Sequence, residues 1–159
     1  MNRPYILVVD DNAIMTKLVC RYLEIHGFEA HSASDGVACI EQVEIRTPDL
    51  ILSDVMMPRM DGITLTEQLR ARDTTKDIPV IVVTALNDHD TQQRAIKAGA
   101  VDIIAKPVDE AVLIAKVRLL TSAQRAKQQI SALRSVIDAY QRGDVAGAEA
   151  LLATIETPA

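Results

Sequence analysis

The chain has 159 residues, 48% of them hydrophobic and 25% charged, with a formal net charge of −5. That composition fits one globular domain with room for a small appendage and argues against disorder. Aromatic residues make up only 3% (Tyr5, Tyr22, Phe28 and Tyr140), too few for a stacking platform on single-stranded nucleic acid, and the acidic balance opposes broad phosphate-backbone binding. The apolar run from Tyr5 to Val9 is too short for a signal peptide or a membrane span. A cytoplasmic protein with no direct nucleic-acid or membrane partner is therefore expected. Cys20 and Cys39 lack a CxxC spacing and a His at ligand spacing, and read as reduced core thiols.

Tyr5 to Val9 is continuous, apolar and β-branched, the pattern of a parallel strand buried on both faces. Ile14, Leu18, Tyr22 and Ile25 then fall on one face of a helix that Gly27 stops. Phe28 to Ala33 alternates and is polar enough for an edge strand. A helix with Val37, Ile40, Val43 and Glu44 ends before Thr47-Pro48. Leu50 to Leu52 is another buried strand, and the turn from Pro58 to Gly62 leads into a helix from Ile63 to Leu69. Val80 to Val83 is the next strand. It is followed by a helix from Asp88 or Asp90 to Ala98, closed by Gly99, and then a short strand from Ile103 to Ala105. The last long helix starts at Asp109, a suitable N-cap. Strand and helix thus alternate five times. Short, right-handed connections make this an α/β fold, a doubly wound five-stranded parallel sheet with helices on both faces.

The alternation ends near Leu120, so 1–120 is expected to form the sheet domain and 121–159 an α-helical extension. Leu119, Ala123, Ala126, Ile130, Leu133, Ile137 and Tyr140 are spaced 4-3-4-3-4-3, an apolar seam of about three heptads. A homodimer through Leu119–Tyr140 is expected. The stretch from Lys116 to Arg142 carries six basic residues (Lys116, Arg118, Arg125, Lys127, Arg134 and Arg142) and one acid, Asp138. A solvated face, or docking to the acidic domain, accounts for this better than nucleic-acid binding. Gly143 then stops the helix, Asp144 caps the next, and Val145, Ala148, Leu152 and Ile155 form a short amphipathic helix.

Ligands of such sheets bind outside the carboxyl ends of the strands. Asp10 and Asp11 follow the first strand, Ser53 and Asp54 the Leu50 strand, Thr84 the Val80 strand, and Lys106 the last. Singly, each reads as a turn, cap or rim residue. Together they put three carboxylates, a hydroxyl and an ammonium at one edge. Two carboxylates about 4 Å apart repel by on the order of 4 kcal/mol at an effective dielectric near 20. They call for a hard cation, and oxygen ligands with room for water suit Mg²⁺. Such an ion would neutralise an incoming phosphoryl group, Thr84 could donate a hydrogen bond to it, Lys106 could pair with it, and one carboxylate could act as nucleophile. No Gly-rich phosphate loop is present, so a nucleotide is not the expected ligand.

Val8-Val-Asp-Asp11, Ser53-Asp-Val-Met-Met-Pro-Arg-Met-Asp-Gly62, Val83-Thr-Ala85, Ala98-Gly-Ala100 and Lys106-Pro107 resemble, in order and context, the receiver domain of two-component response regulators. The resemblance covers about residues 4–120. It implies the flavodoxin-like strand order 2-1-3-4-5 and transfer of a phosphoryl group to Asp54 from the phosphohistidine of a sensor histidine kinase or histidine phosphotransfer protein. It implies Mg²⁺ held by Asp11 directly, by Asp10 largely through water, by Asp54 and by the backbone carbonyl of Met56. Thr84 and Lys106 would bind the phosphoryl oxygens, and the Lys106–Pro107 bond would be cis. Met56 and Leu86 stand at the two positions that influence hydrolysis in receivers. Both are apolar, so a long-lived phosphoryl group is expected. The resemblance departs at Ile103, where relatives commonly carry Tyr or Phe. Phosphorylation should survive this, with the signal passing through the Thr84 loop and the following helix.

The expected protein is a switch rather than a turnover enzyme. One alternative is the N-terminal piece of a larger regulator, such as a nucleotide cyclase. Another is an aspartyl-nucleophile phosphatase or phosphotransferase, although Met56 sits where such enzymes need a general acid. His26, His31 and His89 are scattered and read as surface or packing residues. Met56, Met57 and Met60 read as turn and core.

Overall fold

The structure, a computed structural model, describes residues 3–85 and 87–156. Leu86 and the Thr157–Ala159 end lie outside the described residues. The chain divides into two compact units, one of Arg3–Thr121 and one from Ser122 onward.

The first unit is built on five parallel strands, β1 (Tyr5–Val9), β2 (Glu29–Ala33), β3 (Leu50–Asp54), β4 (Val80–Ala85) and β5 (Asp102–Lys106), in the order β2-β1-β3-β4-β5. Helices α1 (Ala13–Ile25), α2 (Gly36–Ile45), α3 (Gly62–Arg70), α4 (His89–Ala98) and α5 (Glu110–Gln141) follow them in turn. The period of two along each strand sorts the core into two layers. Leu7, Val9, Ile51, Val80 and Val82 face Cys39 and Val43 of α2, Leu65 and Leu69 of α3, and Ala95 of α4. Ile6, Val8, Leu50, Leu52 and Ile81 face Val19 and Leu23 of α1, and Leu113, Ile114 and Val117 of α5. β1 and β3 are buried along their whole length, as expected of strands covered on both faces. Each fully buried Leu or Ile contributes about 1.5–3 kcal/mol relative to exposure. Burial also pushes the Cys39 thiol up to about 12 and Cys20 up to about 11, so neither is a thiolate at neutral pH.

The structure differs from the sequence pattern in two places. The apolar face expected on α1 is not the buried one. Ile14, Leu18 and Ile25 are exposed, Ile14 by 79%, while Thr16, Val19 and Leu23 are buried. The Thr16 hydroxyl donates to the Ala13 carbonyl at 3.1 Å, which removes the cost of burying it. The strands also run further than expected. Asp54 and Lys106 are the last residues of β3 and β5, and Thr84 lies inside β4, because Asp54 pairs in register with Val83, and Thr84 with Ala105.

In the second unit, α5 ends at Gln141, Gly143 has φ +79°, and Asp144 caps α6 (Val145–Glu156) by accepting the Gly147 N–H at 2.9 Å. Helix α6 folds back onto Val136 and Ala139 through Ala148, Leu152 and Ile155. Ile130, Leu133, Ile137 and Tyr140 remain exposed.

One glycine links the fold to the sheet edge. A Cβ on Gly62 would lie 2.1 Å from the Asp54 carbonyl oxygen, and the Gly62 N–H donates to the Val55 carbonyl at 3.0 Å. The first residue of α3 therefore packs directly on the end of β3, and only glycine permits that approach. Gly62→Ala should destabilise the fold by about 1–3 kcal/mol through overpacking. The check is the urea midpoint, and an unchanged midpoint would show that the contact relaxes freely.

Candidate functional site

The carboxyl ends of β1, β3, β4 and β5 bring the expected residues to one edge. Asp10 and Asp11 leave β1, and Asp54 ends the neighbouring β3. One carboxylate oxygen from each of the three lies within 4.8 Å of the others. Asp54 is 8% exposed. Its Oδ1 accepts the Val55 N–H at 2.9 Å and lies 2.9 Å from Lys106 Nζ. Ser53 donates its hydroxyl to the Asp54 carbonyl at 2.9 Å, which anchors the strand end. Thr84 is buried in the adjacent strand. The Lys106–Pro107 bond is cis.

Asp10 Oδ1 accepts the Asn12 N–H at 2.8 Å, and Asn12 caps α1 by accepting the Ile14 and Met15 N–H groups. The turn after β1 is thus tied down in successive steps, and Asp11, between these two residues, is exposed. Burial pushes the Asp10 carboxyl above its ordinary value; the Asn12 amide opposes this, and the Asp54 charge adds to it. The donor set is all oxygen and anionic, with Lys106 as its cationic neighbour. An octahedral Mg²⁺ spans ligand oxygens up to about 4.2 Å apart, so this spacing fits such an ion with slight closure or an intervening water.

The other candidates separate from this edge. Met56 follows two residues after Asp54 and is 79% exposed. Leu86 lies outside the described residues. Ile103 is half-buried against the core layer of α2, α3 and α4, and lines a groove of about 470 Å³ with His89, Gln92, Gln93, Ile96 and Lys97. His26 bonds Glu110 at 3.0 Å, and His31 lies 3.3 Å from Glu29 and edge-on to the Tyr5 ring. Sequence reasoning missed a tie behind the edge, where Arg59, just after Pro58, bonds the buried Asp35 that caps α2. The Ser34-Asp-Gly36 cap signature was the available signal for Asp35; nothing local pointed to its partner.

A sequence profile of the response regulator receiver domain matches residues 6–118. The chain belongs to the response regulator receiver family. It is 39% identical over 148 residues to the response regulator PleD of Caulobacter vibrioides, a match covering 92% of this chain and 32% of PleD. The match is longer than the receiver and so reaches into the helical extension, and this chain spans about a third of that relative's length. Among solved structures it resembles the receiver domain of a signal transduction histidine kinase from Syntrophus aciditrophicus, with TM-score 0.72 and 34% identity over 76% of this chain and 91% of that one. It also resembles the receiver domain of the Francisella response regulator 1452, with TM-score 0.71 and 30% identity over 76% and 98%. No helix among the described residues is long and apolar enough to cross a membrane.

A carboxyl whose folded-state value is raised favours the folded chain while protonated and loses that contribution as pH rises through the folded-state value. The ionised form of Asp10 therefore weighs against folding when no cation is bound. Asp10→Asn should raise the melting temperature in chelator at pH 7 and reduce the further rise that millimolar-range Mg²⁺ gives the unmodified chain. A lower melting temperature for the variant in chelator would contradict this electrostatic account.

Proposed function

We propose that this receiver is a phosphoryl-accepting switch. Asp54 takes the group from a phosphohistidine on a sensor histidine kinase or histidine phosphotransfer protein, and output passes through protein contacts. The observation that carries this reading is the buried Asp54 carboxylate, 2.9 Å from Lys106 Nζ and grouped with Asp10 and Asp11. Oδ1 carries the Val55 and Lys106 contacts, so Oδ2 is the oxygen assigned to attack. Its bond to phosphorus forms as the phosphorus–nitrogen bond to the donor imidazole breaks, giving an acyl phosphate. Asp10, Asp11, Asp54 and the Met56 carbonyl would hold Mg²⁺, which offsets the charge of donor and acceptor. Lys106 pairs with one phosphoryl oxygen and Thr84 donates to another. Exposed Ile14 and Leu18 on α1, just past the Asp10–Asp11 turn, offer apolar surface to the donor protein. Apolar Met56 cannot orient an attacking water, which favours slow hydrolysis. Loss and gain of the group are self-limited steps of a switch, not turnover of a free substrate.

The domain division at about residue 120 and a homodimer through Leu119–Tyr140 belong to the same proposal. Ile130, Leu133, Ile137 and Tyr140 are exposed, while α6 occupies the flank of Val136 and Ala139. Lys127 and Arg134 border the seam on one side, with Ser122 and Gln129 on the other. A parallel pairing sets the basic flank of one helix against the neutral flank of the next, whereas an antiparallel one brings basic flanks together. Parallel association is therefore favoured.

Acetyl phosphate with Mg²⁺ should add one phosphoryl group, read by intact mass. Asp54→Asn should abolish the addition without unfolding the chain, and stoichiometric labelling of that variant would overturn the assignment. For the seam, sedimentation of the full chain should give a dimer of modest affinity, with about three heptads near the lower limit for a helix pair. Leu133→Asp should yield a monomer still phosphorylated on Asp54; a monomeric unmodified chain at all concentrations, phosphorylated or not, would exclude the seam as a self-association surface.

A further inference from the structure

The loop between β3 and α3 contains a strained turn. The Met60 N–H donates to the Pro58 carbonyl at 2.6 Å, closing a three-residue turn centred on Arg59. Arg59 has φ +62°, alone among the described non-glycine residues in having a positive φ. Turns of this hand are rare and costly for a side chain with a Cβ. Such a conformation persists only where its surroundings over-determine it.

Those surroundings are the N-terminus of α2. Arg59 Nε donates to Asp35 Oδ2 at 2.8 Å, and Nη2 lies 2.6 Å from the same oxygen. Asp35 is 3% exposed. Its other oxygen, Oδ1, accepts the Ala38 N–H at 3.0 Å and caps the helix. Beside this pair, the Gly36 N–H donates to the Met60 carbonyl at 3.2 Å, and the Met60 side chain fills the space a Gly36 Cβ would need. The loop carrying Asp35 is itself tied to the site edge, because the Asp10 N–H donates to the Ala33 carbonyl at 3.1 Å.

Met56 lies between two anchors. Upstream, the Val55 carbonyl is bonded to Gly62 N–H. Downstream, Arg59 is bonded to Asp35, and Pro58, with its fixed φ, stiffens the chain between. We propose that Arg59 is a positioning residue for the metal site. Its ion pair with Asp35 holds the strained turn, and the turn sets the place of the Met56 carbonyl. This inference rests on the proposed Mg²⁺ site.

A positioning role and a merely structural one separate by experiment, because glycine accepts φ +62° without strain. Arg59→Gly deletes the ion pair while relaxing the turn. Asp35→Asn removes the charge but keeps a residue that caps a helix equally well. The measurements are Mg²⁺ titration of the full chain by isothermal calorimetry and thermal melts in chelator. Arg59→Gly should weaken Mg²⁺ binding by about tenfold, as loss of an outer-shell support commonly does, without lowering the melting temperature in chelator. Asp35→Asn should weaken it similarly, and the double variant should be no worse than the weaker single one. Arg59→Lys should recover part of the loss. Parental Mg²⁺ affinity in all variants would overturn the positioning role alone, as would losses that merely track melting temperature. An unmodified chain that takes up no Mg²⁺ would overturn the metal site and, with it, the role given to Arg59.

Discussion

Mutual repulsion among Asp10, Asp11 and Asp54 is the constraint around which the receiver unit is arranged. The three carboxylates stand at the ends of two adjacent strands, with oxygens within 4.8 Å of one another. At such separations each pair opposes folding by on the order of a few kcal/mol at an effective dielectric near 20. Lys106, from the far strand of the sheet, reaches Asp54 and offsets part of this. A protein selected for stability alone would not keep such a cluster, and polar residues held against their electrostatic preference mark sites where function sets the sequence.

The rest of the unit holds that cluster in place. Two apolar layers bury β1 and β3 from both sides, so the strand ends that carry the carboxylates have little freedom. Gly62 packs α3 onto the Asp54 carbonyl, Ser53 bonds the same carbonyl, and Asn12 ties the Asp10 turn to α1. Behind them, the Arg59–Asp35 pair ties the loop after Asp54 to the cap of α2. These contacts fix the strand ends and loops around Asp54 from several sides. Ile103, half-buried beside the groove on α4, has no polar tip to draw it towards water and is suited to an inward position.

Much of this was legible in the sequence. Unbroken apolar runs mark the buried strands, and Asp, Thr and Lys at successive strand ends point to one edge, where the structure groups Asp10, Asp11, Asp54 and Lys106. What stayed hidden depended on three-dimensional neighbours. Helix α1 has apolar residues on more than one face, so periodicity could not choose between the Ile14–Leu18–Ile25 stripe and the Val19–Leu23 side that is buried. Thr16 is polar, and its burial depends on the hydroxyl bond to the Ala13 carbonyl, which periodicity does not show. The ladder extends through the charged Asp54 and Lys106, beyond the apolar runs that mark these strands in the sequence. Arg59 and Asp35 are 24 residues apart, and only the adjacency of two loops joins them.

Fluorine NMR of the full chain with beryllium fluoride, a tetrahedral stand-in for a phosphoryl group, tests most directly whether Asp54 accepts such a group beside a divalent ion. A bound fluoride signal should appear in millimolar-range Mg²⁺, vanish in chelator and be absent from Asp54→Asn. A folded, unmodified chain that gives no bound signal in Mg²⁺, or gives the same signal without Asp54, would contradict the reading of this edge as a phosphoacceptor site.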